Sequence, residues 1–137
     1  MVDDNAHARA FLAQILSAVD MDVVQADSGP AALIALKGPK PNAIFVDMFM
    51  PRMDGISLTR AIRALPQPQV AKLPIIMVSA QVSRDVVQRG AAAGVTAFLA
   101  KPFTASAVLK HLAAALAPSV QAQPAPEPTA DDQSFFL

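Results

Sequence analysis

The sequence has no cysteine, no tryptophan and no tyrosine, and only five glycines. Without cysteine there is no disulfide framework, no thiolate zinc site and no cysteine nucleophile. An excess of charge of one sign is also missing, since 11 Lys and Arg face 11 Asp and Glu. Nothing in that balance points to electrostatic capture of nucleic acid or of an anionic membrane surface. The charges are unevenly placed, however. All the basic residues lie at or before Lys110, and Glu127, Asp131 and Asp132 follow it, so residues 1–117 carry 11 − 8 = +3 and the remainder −3. No apolar run approaches membrane-spanning length. The start, MVDDNAHARA, puts an acidic pair where a secretory signal has basic residues. The expectation is a soluble cytoplasmic protein that engages neither nucleic acid nor membrane.

What is present is apolar residues: 53% of 137 positions, enough for one domain with a sizeable core and too few residues for two. Ala8, Phe11, Leu12, Ile15 and Leu16 recur at helical spacing after Asn5, a potential N-cap. MDVVQA (21–26) has the β-branched density of a strand, and Ser28-Gly29-Pro30 introduces a helix over about 31–37. NAIFVD (42–47), IIMVSA (75–80) and VTAFLA (95–100) are apolar on both faces, as strands covered by helices on both sides are. Helical spacing returns at 56–65, 83–93 and 104–117, while the proline-rich 66–74 reads as a connection. Strands alternating with helices predict an α/β fold with a parallel sheet covered on both faces. From Pro118 the chain turns rich in Pro, Ala and Gln, so 118–137 is expected to be a disordered tail or linker after a domain at 1–117. Its last residues, Phe135-Phe136-Leu137, are an apolar docking motif, the start of a further domain, or a frayed end, the simplest of the three.

In such a sheet, ligands bind beyond the carboxyl ends of the strands. The residues that close strands are Asp3 and Asp4, Asp47, Ser79 and Lys101. Three carboxylates, a hydroxyl and an ammonium at one end of a sheet outline a site for a hard cation and phosphate, with Mg²⁺ favoured by oxygen ligands. A carboxylate there can act as a nucleophile toward phosphorus. Plainer readings exist: Asp47 as a surface strand end, Asp3 and Asp4 as charges favourable to a helix N-terminus, and Ser79 and Lys101 as ordinary surface residues. His7 and His111 lie on predicted helices and read as solvated surface positions with no assigned role.

VDDN (2–5), Asp47 followed by MFMPRMDG, Ser79-Ala80 and Lys101-Pro102-Phe103 together resemble the receiver domain of two-component response regulators. The resemblance covers roughly residues 2–117, with four motifs in the right order at strand ends. It implies a doubly wound, flavodoxin-like sheet of five parallel strands in order 2-1-3-4-5. It also implies that Asp47 is the phosphoacceptor, that Asp4 is the principal Mg²⁺ ligand with Asp3 alongside it, and that the Phe49 backbone carbonyl is a further ligand. Ser79 matches the residue that hydrogen-bonds the phosphoryl oxygens, Lys101 the lysine that pairs with the phosphate, and Pro102 the family's cis-proline. Phe98 stands where the family carries its switch aromatic. The implied partners are a histidine kinase or histidine phosphotransfer protein and a downstream protein target, reached through the domain's fourth helix, fifth strand and fifth helix. A phosphorylation-dependent or strand-swapped dimer belongs to the same expectation. Such a protein is a switch and not a metabolic enzyme.

The sequence departs from the pattern in two places. Only Met1 and Val2 precede Asp3, where the family has a central strand of about five residues. The first strand is thus truncated here. The favoured explanation is that Met1 is internal to a strand whose start lies upstream; the alternatives are a strand supplied by a partner chain and a short chain with a compromised site. The second departure is Phe49, expected to screen Asp47 from attacking water and slow hydrolysis. The rival functions are a phosphatase or phosphotransferase working through an aspartyl phosphate, and a pseudo-receiver that binds partners without being phosphorylated.

Overall fold

The computed structural model describes residues 1–117 and 135–136. Residues 118–134 and 137, most of the expected disordered tail, lie outside the described residues. Helix α1 spans Ala6–Ser17 and starts where expected, because the Asn5 side chain accepts from the backbone N–H groups of His7 and Ala8. Helix α2 (Gly29–Ala35) is capped by Ser28 and carries Pro30 in its first turn, where its missing N–H costs nothing. Strand β1 (Ile44–Asp47) leads through a loop to α3 (Gly55–Arg63), capped by Asp54. After α4 (Pro68–Ala71) come β2 (Ile75–Ser79) and α5 (Arg84–Ala93), capped by Ser83. Gly94, at φ 105°, ends α5 in the left-handed conformation that glycine adopts without a Cβ penalty. Strand β3 (Ala97–Ala100), α6 (Ala105–Leu116) and β4 (Phe135–Phe136) complete the described elements.

The sheet runs β1-β2-β3-β4, with β1, β2 and β3 parallel and β4 antiparallel to β3. Alternate residues feed two apolar layers, as the pleat requires. Phe45, Ile76, Val78 and Leu99 pack with Leu12, Ile15 and Leu16 of α1 and with Val108 and Leu112 of α6. On the other face Ile44, Val46 and Ile75 meet Ala32, Leu58 and Ile62 of α2 and α3. Met77 and Phe98 meet Ile56 and Val86 of α3 and α5. This is the α/β layering expected from the fully apolar strands.

Five expectations need correction. The stretch 21–26 is not a regular strand; only Ala26 forms a bridge, to Val2, and Val2 bridges Val46 on its other side, both parallel. A ladder needs a neighbour: residues 21–25 can extend one only against residues preceding Val2, and of these the structure describes Met1, which accepts from Ala26 N–H and donates to the Val24 carbonyl. Among the described residues the regular sheet therefore has three parallel strands and one antiparallel strand, not five parallel ones. The proline-rich connection contains α4, begun by Pro68 at the first helical position and anchored by buried Val70. His111 is 1% exposed and not solvated: the carbonyl oxygen of Ala107 accepts from its Nδ1 at 2.8 Å inside α6. His7 is exposed, as expected. Finally, Phe135–Phe136 pair with β3 instead of fraying.

Candidate functional site

The bridges that flank Val2 fix the chain just before the acidic pair. Val2 donates to the Phe45 carbonyl at 2.8 Å and accepts from Asp47 N–H at 2.8 Å, while Asp3 N–H donates to the Ala26 carbonyl at 3.1 Å. Asp3 and Asp4 are thereby held beside the carboxyl end of β1, where Asp47 closes the strand. The carboxylates of Asp3, Asp4 and Asp47 each offer an oxygen, and these lie within 4.8 Å of one another.

Asp3 is fully buried, Asp47 is 5% exposed, and Asp4 faces solvent. A buried carboxylate is tolerated only with strong donors. Asp3 has two: Lys101 Nζ at 2.9 Å on Oδ2 and the Asn5 backbone N–H at 2.9 Å on Oδ1. Its carbonyl oxygen also accepts from Arg9 at 2.7 Å. Lys101 reaches Asp47 as well, with Nζ 3.1 Å from Oδ1. It enters from the end of β3 through a cis Lys101–Pro102 bond, as expected for Pro102. The two carboxylates keep its pKa raised, although burial alone would lower it.

Burial also pushes the Asp47 carboxyl up to about 6, with the nearby Asp3 charge adding to the rise and Lys101 opposing it. Three carboxylates against one ammonium leave excess negative charge, and every donor is a hard oxygen. That donor set fits a divalent cation such as Mg²⁺. It does not suit a metal that prefers nitrogen or sulfur ligands.

Ser79 closes β2, one residue beyond Val78, the neighbour of Asp47 across the sheet. It is buried, and its hydroxyl is engaged locally: it donates to the Gln81 carbonyl at 2.8 Å and accepts from Gln81 N–H at 3.1 Å. Phe98 is fully buried on the α5 side of β3, against Gly90; a Cβ at Gly90 would overlap the Phe98 ring. Phe49 follows the site with its side chain 54% exposed. Gly55, at the start of α3, is required by close approach. A Cβ there would run into the Asp47 carbonyl and the Met77 sulfur.

The structure thus brings together Asp3, Asp4, Asp47 and Lys101, and leaves Ser79 turned into its own loop. Sequence reasoning missed Arg9 and Asn5 as supports of Asp3. Asn5 was legible only as a helix cap; that its own N–H serves Asp3 depends on the turn between them. Arg9 carries no motif signal at all.

Comparison with known proteins agrees with this geometry. The family model for the response regulator receiver domain matches residues 1–113. The chemotaxis protein CheY of Pseudomonas aeruginosa is 37% identical over 112 residues, covering 81% of this chain and 88% of that protein. Among solved structures, the chemotaxis protein CheY4 of Vibrio cholerae superposes with a TM-score of 0.80 at 32% identity, covering 84% of this chain and 94% of the other. CheY in the CheX–CheY–BeF₃–Mg complex of Borrelia burgdorferi gives 0.77 at 26% identity, covering 85% and 87%.

Proposed function

This chain belongs to the response regulator receiver domain family, and on that premise we propose that it is a phosphorylation-dependent signalling switch whose phosphoacceptor is Asp47. The observation that carries the reading is the close set of Asp3, Asp4 and Asp47 carboxylates with Lys101 reaching two of them. A carboxylate oxygen of Asp47 attacks the phosphorus of a phosphohistidine on a histidine kinase or phosphotransfer protein. The P–O bond forms as the P–N bond breaks, and the electron pair stays with the imidazole nitrogen. Catalysis of such a transfer rests on positioning and charge compensation.

Lys101 is the mobile cation for this step. Its ammonium, now shared by Asp3 and Asp47, can follow charge from the carboxylate to the phosphoryl oxygens. The Ser79 hydroxyl can leave its bonds with Gln81 to donate to the same oxygens. Mg²⁺ held by Asp3, Asp4, Asp47 and the Phe49 carbonyl would supply positive charge that offsets repulsion between carboxylates and phosphate. Output then passes by protein contact through the face of α5, β3 and α6, with Phe98 as the buried aromatic whose packing changes. The cytoplasm is the proposed location. Among the described residues no helix is long and apolar enough to cross a membrane.

Incubation with Mg²⁺ and acetyl phosphate, read by intact mass, tests the proposal. Native protein should gain one phosphoryl group, and Asp47→Asn should gain none. No gain in the native protein would instead favour a pseudo-receiver, and steady release of phosphate would favour an enzyme.

A further inference from the structure

An unpaired edge of a sheet is a template for any extended chain that can reach it. Strand β3 is paired by β2 on one side only, through Ile76 to Ser79 against Ala97 to Ala100. Its other edge is taken by β4, with Phe136 opposite Ala97 and Phe135 opposite Phe98 in antiparallel register. β4 comes from the far end of the chain, beyond a segment (118–134) of Pro, Ala and Gln character. The strand therefore stands apart, in sequence and in direction, from the parallel unit it completes.

We propose that the outer edge of β3 is a strand-addition site for an extended apolar peptide, and that Phe135–Phe136 is its resident occupant in cis. Reach is not limiting. An extended residue spans about 3.3 Å, so the 17 positions between Ala117 and Phe135 allow a reach far beyond the roughly 18 Å length of α6. The register is short, two residues long, and an isolated peptide of that length would not hold the edge in water. Tethering changes this by giving the segment an effective concentration of about millimolar. The result is a strand that closes the edge against other chains and is readily exchanged for a partner with a longer matching segment. Backbone pairing supplies the docking, and side chains on alternate positions supply the selection. This proposal rests on the β3–β4 pairing and stands whether or not Asp47 is phosphorylated.

Hydrogen exchange gives a direct readout. Thr96 N–H donates to Ile75 of β2, so alternation along β3 turns the Ala97 N–H to the outer edge. In the full chain the Ala97 amide should be protected. In a Phe135→Pro/Phe136→Pro variant, which removes the Phe136 N–H that faces β3 and puts proline rings at both strand positions, it should exchange at least about tenfold faster, with the Met77 amide of central strand β2 unchanged. A labelled peptide of residues 131–137, DDQSFFL, supplied at several millimolar to match the tether, should bind that variant more than the native chain, whose edge is filled. Equal Ala97 exchange in the two proteins, or equal peptide binding by both, would overturn the proposal. So would Ala97 protection that vanishes on dilution, since the strand would then come from a second copy. The variant Phe136→Asp, which keeps the backbone donors, provides the same comparison should the double proline change Met77 as well.

Discussion

At the scale of single residues, the site is governed by how one lysine divides itself between two carboxylates. Asp3 is compensated by Lys101 and by the Asn5 amide, whereas among the described residues Asp47 is met by the lysine, and it lies beside two like charges. Its carboxyl is accordingly pushed from 3.8 up to about 6. The sign of the effect on stability follows. Between pH 4 and pH 6 the folded protein holds a proton at Asp47 that the unfolded chain has released, so this group's contribution falls as pH rises through that window and is constant above it. In metal-free buffer, the stability difference between native protein and Asp47→Asn should shift against the native protein from pH 4 to pH 6.5, as measured by urea midpoints. A difference that stays level across the window would contradict the proton assignment. Cation binding needs the carboxylates ionised, so Mg²⁺ should raise the melting temperature at pH 7.5 and have little effect at pH 5.

At the scale of elements, the connections between strands depend on a side chain that no motif announces. Arg63, in the last turn of α3, donates to the carbonyls of Ala71 and Leu73 at 2.7 and 2.6 Å, and to that of Gly94 at 3.0 and 2.7 Å. It ties α4, the entry to β2 and the end of α5 into one knot. Those carbonyls lie at helix ends and strand entries, where they lack partners from regular structure. Hydrogen bonds from a charged donor contribute more than neutral ones, so Arg63→Met should cost about 2 kcal/mol of unfolding free energy. Chemical denaturation monitored by circular dichroism reads this directly; a change within error would mean that water serves the carbonyls equally well.

At the scale of the whole molecule, the sheet and its helices leave an apolar slot on either side of Met1. A cavity of about 750 Å³ lies there, lined by Leu12, Leu16, Val23, Ala43, Phe45 and Leu112 among others. The Met1 ammonium sits at its edge, donating to the Val24 carbonyl at 2.9 Å, and burial pushes its pKa down to about 6. A charged end in an apolar slot is unfavourable, and residues 21–25 form no regular strand. Adding a short apolar segment such as Ile-Leu-Ile-Val ahead of Met1 should therefore raise the melting temperature by roughly 10 °C, since a few kcal/mol shifts a domain of this size by that order. An Asp-Ser-Asp-Ser segment of equal length serves as the control and should give no such rise.

What the sequence alone determined was local. Apolar runs with no polar alternation set β1, β2 and β3 as strands buried on both faces. Ser28, Asp54, Ser83 and Thr104 set helix starts through side-chain oxygens that need only the next few amides. The placement of Asp47, Ser79 and Lys101 at or just past strand ends was legible for the same reason, because a strand's last residue is read from its own run. What tertiary structure decided was everything that depends on a neighbour across the fold. Residues 21–26 have strand composition yet form a single bridge, because a ladder needs a second chain segment and propensity cannot supply one. His111 looks polar in sequence and is buried, because α6 turns that face to the sheet. Phe135–Phe136 end a stretch that reads as linker and yet pair with β3, because the edge of β3 is free to receive them.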